Sequence, residues 1–117
     1  MLTLRNDQLS ALLRVPQRVF VAKMTAHLQE TARIVDPGRA VDYWSKTQQD
    51  QLWMELDLLT RNGFAYEHDI AIAIEYFELF NVDPNESSAV HVITDTQLTA
   101  QEKLGILSTL TTPAGRP

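Results

Sequence analysis

At 117 residues, 44% hydrophobic and 21% charged, the chain is sized for one globular domain and is too apolar to be disordered. It has no cysteine, which excludes disulfides, thiolate nucleophiles and Cys-ligated zinc and suits a reducing compartment. The net charge of −5 is unevenly spread: residues 1–46 carry +3, residues 47–95 carry −9 with Arg61 as their only Lys or Arg, and residues 96–117 carry +1. An acidic middle repels phosphate backbones, so nucleic acid is not an expected partner. The asymmetry either steers a basic partner or is balanced within the fold by the basic first part.

The opening MLTLRNDQLSALLR lacks the basic region and apolar core of a secretory signal, so a cytoplasmic location is expected. Asn6 or Asp7 can cap a helix over about 8–15 that carries Leu9, Leu12 and Leu13. Pro16 either breaks it or opens the next helix, over 17–31, where Phe20, Met24, His27 and Leu28 follow helical spacing; the two can also be one element kinked at Pro16. Asp36-Pro37-Gly38 signals a turn, and residues 40–44 can add a short helical turn. A helix from Ser45 or Thr47 to about 62 presents Leu52, Leu56 and Leu59, with Trp53 beside them read as core and Met54 and Leu58 facing a second neighbour. Asn62-Gly63 ends it, with Gly63 free to take the left-handed conformation.

The periodicity then predicts a helix over about 67–81. Its apolar residues fill more than half the circumference, and Glu75 and Glu78, with Ala71 between, form the remaining solvent strip. Such a helix must be covered on several sides, so it is expected at the centre, with the others wrapped round it. Ser87 or Ser88 can open a short helix to about 94, which includes the only β-like tetrapeptide, Val90-His91-Val92-Ile93. Thr99 and Glu102 have capping-box spacing before a last apolar face of Leu104, Ile106, Leu107 and Leu110. The expected fold is all-α: a single bundle of five to six helices over residues 1–112, with a flexible tail at 113–117. The longest apolar cluster, 70–80, is interrupted by Glu75 and Glu78 and is too short to span a bilayer.

No catalytic constellation assembles from the sequence. His27, His68 and His91 lack metal spacing, and consecutive residues such as Glu67-His68-Asp69 point different ways on a helix. The alternation Asp83, Asn85, Ser87 resembles the start of a calcium loop, but Ser88 replaces the glycine that such a loop requires and Thr94 its closing glutamate. No serine stands in a nucleophile elbow, and the four glycines are scattered singly. A non-enzymatic protein without a cofactor or metal is therefore expected. Tyr43, Trp44, Phe64 and Tyr66 flank the helix that starts near residue 46, and each serves either as core or as an interface anchor. With the acidic Glu67 and Asp69 they are the candidate protein-binding residues.

Phe20, Met24 and His27-Leu28, then Asn62-Gly63, then Glu67-His68-Asp69-Ile70, then Asp83, and finally Leu98 with Glu102-Lys103-Leu104 occur in an order that resembles a family of small bacterial proteins encoded among type VI secretion components, near spike proteins and toxic effectors. The resemblance covers most of residues 17–110. It departs at 33–45 and at Phe80-Asn81-Val82-Asp83, where that family has a glycine before the exit aspartate. It implies a bacterial accessory binding protein: an adaptor or co-chaperone for a secreted effector, or else an immunity protein that neutralises a toxin by binding it. The implied partner is an effector, a toxin or a spike component.

Overall fold

In a computed structural model that describes residues 6–38 and 41–111, with side chains from Gln17 onward, the chain folds into five α-helices. They are α1 (Asn6–Val35), α2 (Lys46–Arg61), α3 (Glu67–Leu79), α4 (Ser87–Ile93) and α5 (Ala100–Ser108). No strand occurs among the described residues. Of the alternatives at Pro16, the single element is the one found: α1 runs through it as one 30-residue helix. The expected tail lies outside the described residues.

Each helix starts or stops where local chemistry dictates. Ser45 caps α2, its hydroxyl accepting the Gln48 amide at 3.3 Å. At the other end Gly63 takes φ +93, and the Phe64 amide reaches back to the Leu59 carbonyl at 3.1 Å. That bond, with apolar Leu59 and Phe64 both buried, is a Schellman ending. Helix α3 ends without a glycine. Asn81 takes the left-handed conformation at φ +62, and the Val82 amide bonds the Tyr76 carbonyl at 3.0 Å. Asparagine tolerates this conformation better than other non-glycine residues, which explains how the chain manages without the glycine. The capping box of α5 is complete: Glu102 N–H donates to Thr99 Oγ1 at 3.1 Å, and Thr99 N–H donates to Glu102 Oε1 at 3.0 Å. The β-like run 90–93 is helical, inside α4, where Ala89 and Ile93 are buried together one turn apart.

The core follows the helical periods. Phe20, Met24 and Leu28 line α1, Leu52, Leu56 and Leu59 line α2, and Leu104 and Leu107 line α5. Helix α3 packs against α1, α2 and α5, while α4 packs chiefly on α5, so not every helix rests on α3. Beyond His68 no residue of α3 is exposed. Glu75 and Glu78 are therefore not a solvent strip. Each is half-buried and meets another helix: Glu75 Oε1 bonds His27 Nε2 on α1, and Glu78 meets Glu55 on α2. Trp53, read as core, lies at the surface, as do Met54 and Ile106. Trp53 and Met54 flank the Leu52–Leu56–Leu59 stripe and stay exposed beside it.

Lys103 ties three elements together. It is only 3% exposed, and its Nζ donates to the Asn62 carbonyl and to the Ile93 carbonyl, both at 2.7 Å. These are the carbonyl ends of α2 and α4, where helix dipoles are negative. The ammonium also lies 5.9 Å from the Phe64 ring centre. Burial lowers its pKa from 10.5, and the nearby Asp95 charge opposes that shift.

Candidate functional site

The turn at 41–45 is held by two glutamines, and that grip sorts its aromatics. Gln29 on α1 donates to the Val41 carbonyl at 3.0 Å and accepts the Tyr43 amide at 2.8 Å. Gln49 on α2 donates to the Tyr43 carbonyl and to Thr25 Oγ1, both at 2.8 Å. Asp42 Oδ1 accepts the Trp44 amide at 2.9 Å. With its backbone fixed from both sides, Tyr43 is fully buried and Trp44 stays 55% exposed.

The six candidate binding residues divide accordingly. Tyr43 and Phe64 belong to the core and offer a partner no surface. Their exposure could not be read from aromatic type, because it depends on the glutamine clamp in one case and the Schellman turn in the other. Asp69 is also buried, in the first turn of α3. Trp44, Tyr66 and Glu67 are exposed, Tyr66 at 74%. They do not form one cluster. Trp44 precedes α2 and Tyr66 follows it, and a 16-residue helix is about 24 Å long.

Each end of α2 has a concave feature. At its C-terminal end an open groove of about 600 Å³ is lined by Phe20, Leu56, Phe64 and Ile70, with Glu67 among its polar residues. Beside it His27, His68, Lys23 and Glu75 line a shallower hollow of about 350 Å³. Thr31 Oγ1 lies 3.5 Å from Nδ1 of His27. Among the described residues no three His, Asp or Glu gather at metal-binding separations.

At the N-terminal end Thr47, Gln48, Gln51 and Glu55 of α2 face Phe77, Glu78 and the exit loop Asn81–Pro84 across a cleft of about 410 Å³. Glu55 is the unusual member. It is 2% exposed, yet it lines both this cleft and a smaller one of about 240 Å³ beyond it. Its Oε2 accepts the Gln51 amide at 2.8 Å, while its buried Oε1 receives no donor. Burial above all, and then the hydrogen bond and charge of Glu78, push its carboxyl far above the ordinary 4.5, against a smaller opposing effect from Gln51. Glu55 therefore keeps its proton at neutral pH and presents it to Glu78. Sequence reasoning missed this residue although a signal existed. Glu55 lies three residues after Leu52 and four before Leu59, a charged residue on the apolar stripe.

No helix among the described residues is long and apolar enough to cross a membrane. Comparison with known protein families, with curated proteins and with solved structures returns no match to this chain.

Proposed function

We propose that the protein is a non-enzymatic binding module, an adaptor or co-chaperone that holds a secreted effector of a bacterial type VI secretion cluster. The observation that carries the binding reading is the pairing of an exposed anchor with acid: Trp44 stands one turn before the cleft-lining Thr47 and Gln48, and Glu78 and Asp83 line the same cleft. Tryptophan is among the side chains that contribute most at interfaces, and a field of one sign selects a partner of the other. The secretion context comes from the resemblance of Phe20, Met24, His27-Leu28, Asn62-Gly63 and Glu102-Lys103-Leu104 to that family. A second reading, an immunity protein that occludes a basic toxin, is favoured by the −9 carried by residues 47–95.

Affinity capture of proteins encoded beside this gene, with the full chain as bait, tests the proposal. The adaptor reading expects an effector or spike component to be retained and secretion to fall on deletion. If deletion leaves secretion intact but makes cells sensitive to their sisters, the immunity reading replaces it. If no neighbour is captured and both phenotypes are absent, neither reading survives.

A further inference from the structure

We propose that the outer face of α2 docks a basic amphipathic helix of a protein partner, with Trp53 and Met54 as its anchors and Asp50 and Asp57 as its counter-charges. Helical steps place Lys46, Asp50, Trp53, Met54, Asp57 and Arg61 within one arc of about 100°, on the side of α2 away from the buried Leu52, Leu56 and Leu59. Trp53 is 36% and Met54 65% exposed, side by side on that arc. Asp50 stands one turn before them and Asp57 one turn after. Lys46 and Arg61 close the two ends, at 3.1 Å from Asp50 and 2.8 Å from Asp57. An apolar centre inside a charged rim is the anatomy of a protein interface. Beside it Met54, Leu58 and Pro84 are among the walls of a hollow of about 240 Å³, which offers a seat for an apolar side chain of the partner.

The order of charges selects the occupant. From Lys46 to Arg61 the face reads basic, acidic, apolar pair, acidic, basic, and it reads the same from either end. A second copy of α2 laid antiparallel on this face would set Asp50 against Asp57 and Lys46 against Arg61; laid parallel, it would set each residue against itself. Both arrangements bring like charges together, so the face disfavours self-association. The acids border the apolar centre, and the cations lie one turn further out. Both ion pairs are solvated, so they hold the fold weakly and exchange readily for a partner's charges. The segment that contains them, residues 47–95, carries −9. The complement is a helix of the form Arg-X-X-Leu-Leu-X-X-Arg. Its two cations lie about 10.5 Å apart along the axis, the rise of seven helical residues, which is also the separation of Asp50 and Asp57 in α2.

That the helix belongs to a protein partner rests on the binding-module reading; the face itself can be tested without a captured neighbour. The full chain is titrated with a helical peptide built on Arg-X-X-Leu-Leu-X-X-Arg and with a counterpart that carries glutamate in place of both arginines. The indole N–H signals of Trp44 and Trp53 are followed by NMR. The arginine peptide is expected to shift Trp53 saturably, to leave Trp44 in place and to bind more tightly as salt is lowered, and the glutamate peptide to do nothing. Trp53→Ala should lower affinity by about tenfold or more. Asp50→Asn combined with Asp57→Asn, at two exposed positions where folding is not at stake, should lower it by about tenfold. Glu30→Gln, at an exposed acid of α1, should leave it unchanged. Shifts that do not saturate, an equal response to the glutamate peptide, or a double aspartate variant that binds like the parent would overturn the proposal. So would a dimer of the parent that Trp53→Ala dissolves. Peptide binding without a captured neighbour would sink the protein-binding reading alone. A neighbour captured as well by the double aspartate variant and by Trp53→Ala as by the parent would sink this face alone.

Discussion

Glu55 and Lys103 are ionisable residues at core positions, and the fold accommodates them differently. Glu55 avoids burying a charge by keeping its proton. A group whose pKa is raised by folding stabilises the native state most below its unfolded value, near 4.5, and that contribution is lost as pH rises toward its folded value. Stability of the parent should therefore fall relative to Glu55→Gln, by up to about 1.4 kcal/mol per pH unit, between about pH 5 and about pH 9. Denaturant titrations of both proteins across that range check this, and parallel curves would place the Glu55 proton elsewhere. Lys103 instead satisfies its ammonium with two carbonyls. Lys103→Met keeps the stem but leaves those carbonyls without their donor, and should cost about 3 kcal/mol in the same titration. Both residues were readable as anomalies, since each occupies an apolar stripe: Glu55 among Leu52, Leu56 and Leu59, and Lys103 beside Leu104 and four residues before Leu107. Their partners were not readable, because Glu78, Asn62 and Ile93 are brought to them only by packing.

Helix boundaries are set within a few residues of sequence, and so they were the most legible part of the fold. Ser45, Gly63 and Thr99 act on amides and carbonyls one turn away, and each does what its type and spacing imply. Thr99→Ala should remove about 1 kcal/mol of stability by opening the capping box. The two left-handed residues make a sharper pair. Gly63→Ala puts a Cβ at φ +93 and should cost about 1–2 kcal/mol, although the nearest atom to that Cβ would be Lys103 Nζ at an ordinary 3.9 Å. Asn81→Gly should be neutral to within about 0.5 kcal/mol, and Asn81→Val should cost more than Gly63→Ala because a branched side chain resists φ > 0. Melting curves of the three variants give the order directly. What failed at this level was the reading of faces. An angular map ranks the sides of α3 by hydrophobicity, and Glu75 and Glu78 fell on its weakest side. The map does not contain the histidine on α1 or the carboxyl on α2 that cover that side.

Across the molecule, neighbours in sequence separate by role. Tyr43→Ala should lower stability on the order of 3 kcal/mol, because it empties a fully buried site. Trp44→Ala should leave the melting temperature nearly unchanged and weaken capture of a partner. A large drop in melting temperature for Trp44→Ala, with capture intact, would remove this residue from the interface. The Lys103 joint also bears on the order in which the fold can mature. Its carbonyl partners close α2 and α4, yet the ammonium that links them is carried by α5, the last of these helices to leave the ribosome. During synthesis the ends of α2 and α4 thus wait on a residue made after both, and a chain halted before that residue would present two carbonyl-rich helix ends and an uncovered Phe64 to the quality-control machinery of the cell.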